Sequence, residues 1–180
     1  MKIETRFRHF GLKKVTDYAK ANGVSIIGYH ETGSNIINYL AQIDEGMALY
    51  EKSGIHDVKI GQVGSRLNMK EWHHGQFGVN YYRSVLEKAA KYHLTVNFHE
   101  PIKDTGERRT YPNMMAREGA RGQEYNAWSD GNPPSHTAIL PFTRLLAGPM
   151  DFTPGVMDVD IKQGTWCGLF VDYLFYDLPR

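Results

Sequence analysis

The residues best suited to chemistry are four glutamates. Glu100 ends an apolar, β-prone run (Leu94, Val96, Phe98) that Pro101 stops, because proline has no N–H with which to continue a ladder. Glu118 and Glu124 follow, six residues apart, Glu118 beside Gly119 and Glu124 two positions after Gly122, in a segment that also carries Arg108, Arg109, Arg117 and Arg121. Glu31 lies 69 positions before Glu100, and both follow a histidine, His30 and His99. One glutamate alone is ordinarily a solvated surface charge. Carboxylates gathered among arginines, which can keep them ionised, instead suit a polar site rather than a packing face. The arginines could equally be structural clamps for the loop.

Eight histidines raise zinc as a rival. A zinc peptidase would place two histidines one helical turn apart in His-Glu-x-x-His. Four positions after His30 stands Ser34, and four after His99 stands Lys103, so the motif fails twice. Cys167 is the single cysteine, which excludes an intrachain disulfide and a cysteine zinc cluster.

Positioning these groups requires strands that end near one another, and the chain repeats a helix-then-strand unit. Leu12, Val15, Tyr18 and Ala19 fall at helical spacing, Asn22-Gly23 gives a stop, and a strand runs from Val24 to Glu31. A second helix spans Ile36 to Lys52, closed by Gly54, before a strand at Asp57–Gly61. The third spans Tyr81 to Tyr92, before a strand at Thr95–His99. This alternation predicts an α/β fold with a parallel sheet. Open doubly wound sheets share the rhythm, but no strand is followed by Gly-x-Gly-x-x-Gly, and paired His-Glu at two strand ends suits a barrel. The strands ending at Glu31, Gly61 and Glu100 should be parallel neighbours, with the two glutamates at one edge.

Several motifs in order carry a family resemblance: Gly28-Tyr29-His30-Glu31-Thr32, His99-Glu100-Pro101, Arg109-Thr110-Tyr111-Pro112-Asn113, Arg117 through Tyr125, and the block 139–155. Over roughly residues 11 to 161 the chain resembles the catalytic barrel of glycoside hydrolase family 97, of the calcium-dependent, inverting α-glucosidase type. The resemblance implies a (β/α)8 TIM-type barrel. A complete barrel takes about 250 residues, so residues 1–165 are expected to be an incomplete barrel of about four to five βα units, and 166–180 an atypical tail. In the family the barrel lies between two β-domains, neither of which is visible here.

The resemblance also implies roles. Glu31 and Glu100 match the two base carboxylates of the inverting branch, Glu124 matches the general acid, and Glu100, Glu118 and Glu124 match ligands of Ca2+. The retaining branch uses an aspartate nucleophile and lacks the paired strand-end glutamates. His30, His73, His74, His99 and Trp128 are candidate sugar contacts; His30 and His99 could otherwise be satisfied core residues, and His73 and His74 exposed loop residues. Trp72, Tyr111 and Tyr125 fall in neighbouring loops where a ring could lie against a sugar, or simply fill a core.

Composition sets the outer bounds. The 180 residues suit one domain, and 41% hydrophobic with 23% charged is ordinary for a globular protein. A formal charge of +1 provides no field for nucleic acid. No window is apolar enough for a membrane span and residues 1–10 lack a signal-peptide core, while the family resemblance implies a periplasmic or exported bacterial protein. The expected partner is an oligosaccharide or α-glucoside, and an incomplete barrel would leave sheet edges through which copies could associate. The function expected is calcium-assisted, inverting hydrolysis of α-glucosidic bonds; the alternative is a non-catalytic barrel fragment.

Overall fold

A computed structural model describes residues 11–62, 64–123, 125 and 129–153. The chain forms two compact units, one on either side of Gly119. In the first, helix α1 (Leu12–Ala21) leads to strand β1 (Ile27–Glu31), helices α2 (Ile36–Leu40) and α3 (Ile43–Lys52), and strand β2 (Asp57–Gly61). A short hairpin, β3 (Arg66–Leu67) and β4 (Glu71–Trp72), precedes helix α4 (Gln76–Lys91), strand β5 (Thr95–Phe98) and strand β6 (Met114–Arg117). The main sheet has the order β1-β2-β5-β6 and every pairing in it is parallel. Four parallel strands laid down in chain order, with helices in the first two crossovers, match the expected α/β architecture and an incomplete (β/α) barrel.

Three helices end alike, and the ending sets where each following strand begins. After α1, α3 and α4 the chain passes through a left-handed residue, Gly23, Gly54 or His93 (φ 69°, 72° and 55°). The amides that follow close on the last turn: Val24 N–H on the Ala19 carbonyl, Ile55 on Tyr50, and Leu94 on Ala89, at 2.9, 3.0 and 3.0 Å. This is the Schellman closure, for which glycine is the ordinary residue.

The core lies between the sheet and α2, α3 and α4. Val58, Ile60, Val96 and Phe98 supply the sheet side, and Ile36, Ile43, Met47, Val85, Leu86 and Ala89 the helix side. Several expectations are corrected. The helix read as Ile36–Lys52 is broken at Ala41–Gln42, where the Gln42 amide side chain donates to the Asn38 carbonyl (3.2 Å) and competes with the backbone ladder. On α1 the buried residues are Thr16 and Ala19, with Leu12 partly buried, whereas Val15 and Tyr18 face out. Strand β6 falls in a stretch read as loop, because it is short and one of its four residues is arginine.

The second unit, from Ala120, holds helix α5 (Pro134–Ile139) and two 3-10 turns at Leu140–Phe142 and Arg144–Ala147. The tail 166–180 lies outside the described residues.

Candidate active site

Period-two alternation decides which strand residues reach the site. Gly28 and His30, Val58 and Ile60, Val96 and Phe98 point into the core, so Tyr29, Glu31, Lys59, Gly61 and Asn97 lie on the opposite face. Glu31 is partnered with Gly61 across β1 and β2, and Ile60 with Phe98 across β2 and β5, so Glu31 and Glu100 emerge at the same carboxyl edge with one strand between them. Two strand spacings separate their backbones by about 9.6 Å.

Glu31 is exposed but held. Its carboxylate accepts from the Tyr29 hydroxyl and the Gly33 N–H, each at 2.7 Å. Gly61 makes room for this pair: a Cβ there would collide with the Tyr29 hydroxyl and the Glu31 carboxylate. Glu118 follows β6, its N–H donating to the Phe98 carbonyl at 2.9 Å. Its buried carboxylate lies 3.0 Å from the Lys59 ammonium and 3.3 Å from His99 Nε2. His99 is therefore half-buried beside the Glu118 carboxylate. Glu100 is exposed and leaves the strand in a left-handed conformation, φ 48°.

Other candidates are placed elsewhere. His30 is corrected from a sugar contact to a core residue: alternation turns it away from Glu31, its ring stacks on Tyr50 at 4.7 Å, and Nδ1 lies 3.1 Å from the Tyr39 hydroxyl. Burial lowers its pKa to about 4, so the ring is neutral near pH 7. His73 is likewise buried, with Nδ1 donating to the Glu100 carbonyl at 3.2 Å. His74 is exposed beside it, and partial burial, then His73 and Lys103, lower its pKa. Tyr111 packs against the core and donates to Glu87 (3.0 Å), away from the carboxyl edge of the sheet. Trp72 is exposed and lies under the Arg66 guanidinium, 5.6 Å from its ring centre. In the second unit Arg121 stacks on Tyr125 at 3.9 Å. Glu124 and Trp128 lie outside the described residues.

The arginines divide by role. Arg117 is a buried clamp: it donates to the carbonyls of Ile102 and Lys103 (3.1 and 2.6 Å) and to Glu107 (3.0 Å), tying the loop after β5 to β6. Arg108 pairs with Asp104 at 2.5 Å within the same loop. Burial works to raise the Glu107 pKa, but hydrogen bonds from Arg83 and Arg117 outweigh it and hold the carboxyl below its ordinary value. Tyr29 and Lys59 are additions that sequence reading passed over. Alternation from Glu31, and a lysine in the middle of a parallel strand, are the signals that could have found them.

Among the described residues no group of three His, Cys, Asp or Glu side chains converges as a metal cluster. Glu100 and Glu118 offer the carboxylate oxygens a hard cation prefers, and Lys59 now balances Glu118. What the described face can do is hold two exposed carboxylates at one edge beside a group of buried Glu118 with half-buried Lys59 and His99, a polar floor for a hydroxyl-rich ligand.

Comparisons with known proteins bear on the family and the fold. The glycoside hydrolase 97 family model matches residues 1–120. Solved structures of a family 97 enzyme from Pseudoalteromonas sp. strain K8, in complex with panose and with acarbose, align at TM-score 0.75 and 52% identity, covering 82% of this chain and 24% of theirs. Curated relatives include a retaining alpha-galactosidase of Bacteroides thetaiotaomicron, 28% identical over 96% of this chain and 26% of that protein. A probable retaining alpha-galactosidase of Streptomyces bingchenggensis is 31% identical over 80% of this chain and 20% of its own length. The chain thus spans about a quarter of the length of the relatives it matches. With the family model covering two thirds of the residues, the chain belongs to glycoside hydrolase family 97.

Proposed function

We propose that this chain carries part of the active site of an inverting α-glucoside hydrolase. The observation that carries the reading is the emergence of Glu31 and Glu100 at one carboxyl edge, separated by β2. In it Glu31 and Glu100 are base carboxylates that activate water, and Glu124 donates the proton to the leaving oxygen. Lys59 and His99 hold the Glu118 carboxylate in place. A bound Ca2+ would sit on Glu100, Glu118 and Glu124, where it would polarise a sugar oxygen. Substrates would be α-glucosyl oligosaccharides, by analogy with the panose and acarbose complexes at 52% identity. Export to the periplasm and association through the outer strands β1 and β6 belong to the same proposal.

The relatives named retaining alpha-galactosidases favour a second reading. The two differ in the anomer first released, so proton NMR of the nascent sugar separates them: β-glucose from an α-glucoside supports inversion, and α-galactose from an α-galactoside replaces it. Within the inverting reading, Glu124→Gln should lose at least about a hundredfold in kcat on a poor leaving group and recover with a very good one, which needs no proton. Glu31→Gln should not recover. Equal recovery of both would refute the roles, and activity indifferent to a chelator would remove the ion from them. A chain that releases no sugar from either glycoside is the non-catalytic fragment.

A further inference from the structure

Glu100 adopts a conformation that two independent constraints oppose. Its φ of 48° is left-handed, which non-glycine residues avoid, and it precedes Pro101, which drives its neighbour toward extended backbone. Strand pairing is intact one residue earlier, where His99 N–H donates to the Ile60 carbonyl at 2.9 Å. The reversal is therefore confined to Glu100.

Three side chains converge on its carbonyl oxygen. Gln62 Nε2 donates at 3.1 Å, His73 Nδ1 at 3.2 Å and the Tyr82 hydroxyl at 2.5 Å. An ordinary carbonyl offers two lone pairs, so this acceptor is saturated. The donors come from the end of β2, the turn after β4, and α4, and all three residues are largely buried. Gly78 and Tyr82 lie one turn apart on α4, on one face. A Cβ at Gly78 would overlap the His73 carbonyl, so the helix seats the His73 turn and presents Tyr82 to the same oxygen.

We propose that Gln62, His73 and Tyr82 are positioning residues for Glu100: they pin the Glu100–Pro101 peptide and so fix the direction in which the Glu100 side chain leaves the backbone. The inference rests on the reading of Glu100 as a base carboxylate, and its test separates the two. Glu100-Pro101 is the one Glu-Pro pair in the sequence. Carbon-13 carbonyl labelling of glutamate with nitrogen-15 proline therefore gives a single carbonyl–nitrogen cross-peak in the full 180-residue chain. Tyr82→Phe and Gln62→Met each remove a donor while keeping the shape. Each should move that peak upfield, and together they should bring it near the value of an extended Glu-Pro peptide with the rest of the spectrum folded.

In kinetics on an aryl α-glucoside, each variant should lower kcat about tenfold or more with KM changed less than about twofold. Neither should lower it further once Glu100 is Gln. A native cross-peak in the folded double variant overturns the proposal, as do equal losses with and without Glu100. A peak that moves as expected in a chain with no activity supports the pinning and sinks only the base assignment.

Discussion

His30 shows how one position can hold two meanings. Beside Glu31 in sequence, it sits on the opposite face in space, neutral and buried between Tyr39 and Tyr50. Its folded pKa of about 4 lies below the ordinary 6.5. The unfolded chain therefore takes up the proton first as pH falls. The stability due to neutral His30 is complete above about pH 6.5 and is lost down to about pH 4, by about 3 kcal/mol at most. Urea unfolding at pH 7.5 and pH 4.5 measures it. His30→Phe should be less stable at pH 7.5, because the Tyr39 hydroxyl loses its partner, but should show a visibly flatter pH dependence than the parent. Parallel curves would mean that His30 titrates alike in both states.

The three matching helix ends invite a comparison within the molecule. Gly23 and Gly54 occupy the left-handed position without a Cβ, whereas His93 holds it at φ 55° against the steric cost of a side chain. His93 receives in return only an exposed contact with Glu51, 2.6 Å from Nδ1, and surface pairs contribute little. Relief of left-handed strain, less the extra backbone entropy of glycine, leaves His93→Gly more stable by about 0.5–1 kcal/mol. A thermal melt that fails to rise would show that the Glu51 contact outweighs the strain. The glycines were legible as stops in the sequence, as were β2 and the parallel order, because composition and period act locally. Strand β6 and the break at Ala41–Gln42 were not, since one depends on pairing with β5 and the other on a side chain competing for a carbonyl. The same division runs through the site. The glutamates could be read from their motifs, whereas Lys59 joins them only by folding and His73 proves to serve Glu100 through its backbone.

At the scale of the whole molecule, the core and the proposed chemistry are divided differently along the chain. Among the described residues, every member of the main buried cluster, from Ile36 to Met114, lies before Gly119, as do Glu31, Glu100 and Glu118. The proposed proton donor, Glu124, lies after it. Apolar burial is the dominant driving force for folding, so a chain ended at Gly119 retains the cluster that stabilises the sheet. Residues 1–119 alone should show an α/β circular dichroism spectrum and one cooperative urea transition. Their catalysis should be absent on substrates with poor leaving groups, with no gain from restoring calcium. A non-cooperative or unfolded 1–119 chain would mean that the cluster alone is not enough to stabilise the sheet, and undiminished hydrolysis would move the acid from Glu124 to a residue before Ala120.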